Sequence, residues 1–190
     1  VLNALPQQVL SVDIEQVLAD ISPDLLLHPE AYLRVAALRR WAGSGYTVSF
    51  KSQTSLDRRV LMPATEDESH GLEDARFTRF VDDDETASYR ACYSAYDGRS
   101  IGNRLLTSPD LRTFTSHRLT GPGARNKGMA LFPRRICGRL AALSRADGTT
   151  IGLTLSDDGY RWDTPVDIEG PRNPWQILQV GNGSPPLETD

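Results

Sequence analysis

The sequence predicts a mainly β fold, a partial β-propeller preceded by a small helical segment, and three observations carry that prediction. Short runs alternate apolar and polar residues, as in Tyr46-Thr47-Val48-Ser49-Phe50 and Tyr89-Arg90-Ala91-Cys92-Tyr93-Ser94-Ala95. Such alternation sets one face of a strand on a core. Asp97-Gly98, Asp147-Gly148 and Asp158-Gly159 separate these runs with the chemistry of tight turns. The stretch Tyr96-Asp97-Gly98-Arg99-Ser100-Ile101-Gly102 recurs as Ala146-Asp147-Gly148-Thr149-Thr150-Ile151-Gly152, an offset of 50 residues. Leu105-Leu106-Thr107-Ser108-Pro109-Asp110 and Phe114 then parallel Leu153-Thr154-Leu155-Ser156-Asp157-Asp158 and Trp162. Several short strands per unit, with an aromatic after the last turn, mark propeller blades. A β-sandwich supplies alternating strands too, but not a turn and an aromatic repeated together.

Residues 1–43 have a different texture. Ser11 is a plausible N-cap for Val12-Asp13-Ile14-Glu15-Gln16-Val17-Leu18-Ala19, with acids in the first turn where the helix dipole favours them. Pro23 interrupts the pattern. A second helix fits Pro29 to Trp41, with proline at its first position, arginines in its last turn and Gly43 as the stop. This segment carries no catalytic signature and reads as packing material. From Tyr46 to residue 190 the chain reads as strands, so the predicted organisation is a helical segment, 1–43, and a partial propeller, 46–190.

Bulk properties serve mainly to exclude. The 190 residues carry a net charge of -4, which gives no electrostatic footprint for nucleic acid. No apolar run approaches the roughly 18 residues that span a bilayer, so no membrane partner is expected. The stretch Val1-Leu2-Asn3-Ala4 lacks signal-peptide chemistry, and the expectation is a cytoplasmic protein. Cys92 and Cys137 sit in strand-like runs without metal-ligand spacing and read as buried thiols in a reducing compartment.

Chemistry concentrates in two segments. Gly71-Leu72-Glu73-Asp74-Ala75-Arg76-Phe77-Thr78 puts adjacent carboxylates and an arginine at a strand entrance. On a regular strand Glu73 and Asp74 point to opposite faces, so only one can face a given pocket. One is a candidate general acid, against the plainer reading of a carboxylate paired with Arg76 and another in water. Ala124-Arg125-Asn126-Lys127-Gly128 offers a guanidinium, an amide and an ammonium in a glycine-bounded loop, suited to a phosphate or to sugar hydroxyls, or else a solvated loop. Arg145 ends a strand before a turn, a position that is usually just exposed. The stretch Gly181-Asn182-Gly183-Ser184-Pro185-Pro186-Leu187-Glu188-Thr189 is a rigid loop ending on a carboxylate. His28, His70 and His117 have no zinc spacing, and Asp82-Asp83-Asp84-Glu85 reads as a solvated hairpin tip rather than a calcium loop. No metal site and no cofactor are expected. There is no P-loop, dinucleotide fingerprint or nucleophile elbow.

Together these motifs resemble glycoside hydrolase family 130, β-mannoside phosphorylases and β-mannosidases on a five-bladed propeller. The Gly71–Thr78 segment is similar to that family's G-x-E-D-P/A-R-I/F-T. The run Asn126-Lys127-Gly128-Met129-Ala130-Leu131-Phe132-Pro133 resembles its K-(N/D/G)-x-A-L-F-P, and Trp175-Gln176 through Thr189 resembles its W-x-(I/V)-G-x-G-x-P-P-I-(K/E)-T loop. The resemblance covers about Tyr46 onward. It implies Asp74 as general acid, acting through a sugar hydroxyl, with Glu73 and Arg76 in support. It implies Arg125 and Asn126 on the mannose or the attacking phosphate, Lys127 beside them, and Arg145 at the phosphate site. The expected partner is a β-linked manno-oligosaccharide.

Where phosphorolytic members carry lysine, this chain has Glu188. A carboxylate there would repel phosphate and could activate water, so the expectation is an inverting β-mannosidase with Asp74 as acid and Glu188 as base. Such a pair stands roughly 6.5–9.5 Å apart. The alternatives are a phosphorylase releasing mannose 1-phosphate, with inorganic phosphate as co-substrate, and a catalytically inactive sugar-binding propeller fragment. About two to three blades cannot close a ring, so a homo-oligomer or a missing remainder of the propeller is expected to cover the open edges.

Overall fold

The computed structural model describes residues 17–42 and 44–189, in two compact units divided between Gly45 and Tyr46. In the first unit, α1 spans Pro23–Leu26 and α2 spans Pro29–Ala42. Pro23 starts a short helix rather than merely breaking one, as the fixed φ of proline suits a first helical position. An exposed Glu30–Arg34 pair at 3.6 Å links successive turns of α2, and Leu18 and Val35 are buried. The proposed Ser11 cap and the Gly43 stop lie outside the described residues. No helix among the described residues is long and apolar enough to cross a membrane.

Among the described residues the second unit has nine strands: β1 (Tyr46–Ser49), β2 (Gly71–Val81), β3 (Ala87–Tyr96), β4 (Ile101–Ser108), β5 (Thr113–Arg118), β6 (Ala130–Leu131), β7 (Leu140–Ser144), β8 (Ile151–Ser156) and β9 (Val166–Glu169). They form two antiparallel sheets, ordered β1-β5-β4-β3-β2 and β6-β7-β8-β9. Within each, four consecutive strands form a meander, the strand order of a propeller blade.

The repeat is visible as hydrogen bonding. Asp97 Oδ1 accepts from the amides of Arg99 and Ser100, and Asp147 Oδ1 accepts from those of Thr149 and Thr150. One turn later Asp110 Oδ1 accepts from Arg112 and Thr113, and Asp158 Oδ1 from Tyr160 and Arg161. The first pair of turns is offset by 50 residues and the second by 48 (158 − 110), because β4 has 8 residues and β8 has 6.

The core lies between the sheets. Phe80, Cys92 and Leu105 from the first meet Leu131, Leu140 and Ala142 from the second, with Trp162 fully buried among them. Gly121 and Gly123 permit close approaches, since a β-carbon would stand 2.2 Å from the Trp162 carbonyl oxygen at the first and 2.2 Å from Thr154 Oγ1 at the second. The opposite face of the first sheet buries Ala91, Tyr93, Ala95, Leu106 and Phe114 under Phe50, Leu61, Leu72 and Leu111. The second sheet turns Leu143, Leu153 and Leu155 away from the first, half-buried, while its edge strand β9 exposes Val166 and Ile168.

Two expectations are corrected. Cys92 is buried as read, and burial pushes its thiol up to about 12, so it is inert. Cys137 instead is exposed, in the left-handed region at φ 50, in the tight turn between Ile136 and Arg139. The acidic run is not wholly solvated either. Asp82 is half-buried, accepts from Arg135 Nε at 2.8 Å and pairs with Arg90 at 3.3 Å, pinning the β2–β3 hairpin to the chain after Pro133.

Candidate active site

Strand β2 forms the edge of its sheet, and its register against β3 breaks between Glu73 and Arg76. Glu73 pairs with Ser94 and Arg76 with Cys92, so Asp74 and Ala75 together oppose Tyr93. This is a β-bulge, with Asp74 in the left-handed region at φ 56. The regular alternation expected for Glu73 and Asp74 therefore fails: Glu73, Asp74 and Ala75 are all exposed. The extra residue also reverses the phase of the strand. Leu72 faces one core, whereas Arg76 and Phe80 face the other, toward the second sheet. The bulge thus presents Asp74 at an open edge and carries Arg76 inward.

Arg76 arrives at Gly128. Gly128 adopts φ 90, and a β-carbon on it would lie 3.4 Å from Arg76 Nη1, 3.7 Å from Asn182 Oδ1 and 3.9 Å from Arg145 Nε. Two guanidiniums and an amide converge on one point that glycine leaves open. Arg145 is 7% exposed, not the surface group its strand-end position suggested. Its Nη1 donates to the Val180 carbonyl at 3.3 Å, and Arg76 Nη2 reaches the Asn182 carbonyl at 3.5 Å. Arg145 Nε and both side-chain atoms of Asn182 are buried without a hydrogen-bond partner among the described residues. Groups of that kind cost free energy unless something completes them.

The loop beside this point is held from the first sheet. Asn103 on β4, 1% exposed, donates from Nδ2 to the carbonyls of Ala124 at 3.0 Å and Asn126 at 2.7 Å. Asn126 sits at φ 62, its Oδ1 accepts from the Lys127 amide, and its Nδ2 packs against Gly148. Arg125 is exposed and Lys127 half-buried on the same loop.

Glu188 stands in another setting. Its Oε1 accepts from Arg134 Nε at 2.8 Å, with side chains 61% and 54% exposed. The pair rims an apolar cavity of about 190 Å³ lined by Phe132, Ile136, Pro186 and Leu187. Among the described residues no group of three side chains could hold a metal ion.

Sequence reasoning missed Asn182, Asn103 and a buried ionic network behind the site. Glu68 and Arg104, both fully buried, pair at 3.2 Å, and the Tyr93 hydroxyl donates to Glu68. Asp67 pairs with Arg104 at 3.0 Å. This network anchors the turn Glu66–Glu68 immediately before β2. The one available signal was the pair of glycines flanking Asn182, of which Gly181 allows the chain to pass close to Arg145.

No protein-family profile matches the chain. It is 30% identical over 138 residues to a 1,2-beta-oligomannan phosphorylase of Thermoanaerobacter sp. (strain X514), a match covering 70% of this chain and 44% of that protein. It superposes with a TM-score of 0.56 on the beta-1,2-mannobiose phosphorylase from Listeria innocua in its beta-1,2-mannobiose complex, at 26% identity. That likeness covers 67% of this chain and 36% of the other. The likeness to these two phosphorylases agrees with the resemblance of the chain's motifs to glycoside hydrolase family 130. The chain spans less than half the length of either protein.

Proposed function

We propose that residues 46–189 form part of a β-mannoside phosphorylase, contributing the general acid and an anion seat to its active site. The carrying observation is the convergence of Arg76, Arg145 and Asn182 on the open point at Gly128. Two guanidiniums suit an attacking anion far better than an attacking water. Both named relatives being mannoside phosphorylases supports the same choice.

In this reading a phosphate oxygen attacks the anomeric carbon, the glycosidic bond breaks, and Asp74 supplies the proton that the departing oxygen takes up. The products are mannose 1-phosphate and a mannan shortened by one unit. The bulge places Asp74 at the open edge while it turns Arg76 toward the phosphate. The Arg125-Asn126-Lys127 loop, clamped by Asn103, meets the sugar or the phosphate, and Glu73 supports Asp74. Hydrolysis with Glu188 as base is the second reading, and only the identity of that residue favours it. Its carboxylate is already committed to Arg134.

The two meander sheets read as consecutive blades of a propeller domain, 46–190, that follows a helical segment, 1–43, in the sequence. The apolar outer face of the second sheet suits a further blade or another copy of the chain. Product analysis on β-1,2-mannobiose with and without inorganic phosphate tests the reaction. Mannose 1-phosphate formed only with phosphate supports phosphorolysis, and free mannose formed without it removes that reading.

A further inference from the structure

The geometry points to Asn182 as the residue that makes the anion seat selective for a protonated oxyanion, phosphate rather than sulfate. This rests on the phosphorylase reading of the same site. Asn182 brings one donor and one acceptor to the seat, both buried and both without a partner among the described residues. Exchanging the amide's oxygen and nitrogen leaves that count of unpaired atoms unchanged.

A fully deprotonated oxyanion can satisfy the amide N–H and the guanidinium N–H groups, since its oxygens only accept. It cannot satisfy the amide oxygen, which needs a donor. Inorganic phosphate at neutral pH keeps at least one P–O–H and can donate it to that oxygen. Sulfate has no proton to give, and would set one of its oxygens against a buried acceptor. A site built around a hydrogen bond rejects a ligand that lacks its half of the bond, because the site's own group is left unpaired. The arginines supply affinity for either anion, and the single amide oxygen separates them. Arg145 Nε and Arg76 Nη1, each within 4 Å of the same point as Asn182 Oδ1, keep the ligand against that oxygen.

The test is calorimetric titration of the full 190-residue chain with inorganic phosphate and with inorganic sulfate. Phosphate is expected to bind about 10–100-fold more tightly than sulfate, the cost of one unpaired buried acceptor. Asn182→Leu should weaken phosphate and bring the two anions within about threefold of each other. Asn182→Asp, which preserves shape, is the check on folding. Its added charge should depress binding of both anions, phosphate more at higher pH. Equal affinity of the unaltered chain for the two anions overturns the proposal, as does a selectivity that survives in Asn182→Leu. Failure to bind either anion shows a seat for ordered water and also overturns it. Mannobiose turnover on the same preparations separates the two readings. Selective binding without phosphorolysis removes the proposed reaction and leaves the seat. Phosphate-dependent turnover with sulfate competing equally leaves the reaction and removes the role of Asn182.

Discussion

Arg134 Nε donates to Glu188 Oε1 at 2.8 Å, joining the loop after Pro185 to the segment after β6. The Glu188 carboxylate is thereby engaged by a guanidinium N–H, a contact that competes with any attacking water for that oxygen. It is also half out in solvent, where an ion pair contributes about 0–1 kcal/mol. Glu188→Gln should therefore change turnover by less than about threefold and barely shift the unfolding midpoint, whereas loss of a general base costs about 10²–10⁴-fold. Steady-state rates with saturating phosphate decide it.

Asp74→Asn should reduce turnover by about 10²–10⁴-fold while leaving the fold intact. Asparagine is the informative replacement because φ is 56 there, and asparagine tolerates the left-handed region that alanine resists. A rate loss with an unchanged denaturation curve assigns the defect to the proton. A parallel loss of stability would assign it to the bulge.

The sheets and the repeat were legible because they rest on local chemistry. Each aspartate–glycine or aspartate turn satisfies its own backbone, so it reads the same in sequence as in structure. The bulge was not legible: alternation along Glu73-Asp74-Ala75-Arg76 looks regular until strand β3 fixes the register. The burial of Arg145 was not legible from its strand-end position for a related reason. Its burial comes from the loop carrying Val180 to Asn182, 35 residues later, and no local pattern announces such a contact. Cys137 shows the converse, since Ile136-Cys137 imitates part of a strand that the turn at Gly138 prevents.

Arg104→Met should destabilise the chain by about 3–5 kcal/mol, because it strands the Glu68 carboxylate in the core. Glu68 would keep the Tyr46 and Tyr93 hydroxyls and the Ala64 and Thr65 amides, but no cation. Adding Glu68→Gln to Arg104→Met should recover part of the loss, since the fully buried carboxylate is then gone and only Asp67, partly exposed, is left without its guanidinium. Urea unfolding of the two single variants and the double variant yields the coupling, and strict additivity would show that the buried pair is not a unit.

Lowering pH from about 8 to about 5 should destabilise the second unit through His117. Burial, and secondarily Arg104, holds its imidazole below the usual value. Its half-buried ring packs edge-on against Tyr160 at 5.2 Å. The neutral ring is favoured in the fold, so the unfolded chain takes up the proton first, at about pH 6.5. Stability accordingly falls as pH drops from there to the folded value, with no further loss from this group below it. Asp110, held low by the amides of Thr113 and Arg112, and Asp82, held low by Arg135, work in a lower window. Their contributions are present above the unfolded carboxylate value and vanish as pH falls through the folded one. His117→Phe should flatten the upper part of the urea-midpoint profile and leave the acid limb in place.

Asn103→Leu should cost about 2–4 kcal/mol and loosen the Arg125-Asn126-Lys127 loop. The substitution removes two bonds to backbone carbonyls, at 3.0 Å from Ala124 and 2.7 Å from Asn126, and leaves both oxygens without that donor. The loop then loses its tie to β4 while keeping its covalent path into β6, so the damage is to position more than to folding. The kinetic signature follows from what the loop is proposed to hold. KM for mannobiose or for phosphate should rise by about tenfold or more, with kcat less affected, if the loop binds ground state and transition state alike. Asn103→Asp keeps the shape but replaces the donor with a charge beside two carbonyls, and should be at least as damaging. Equal KM values in the parent chain and both variants, alongside the expected drop in urea midpoint, would reduce Asn103 to a structural strut.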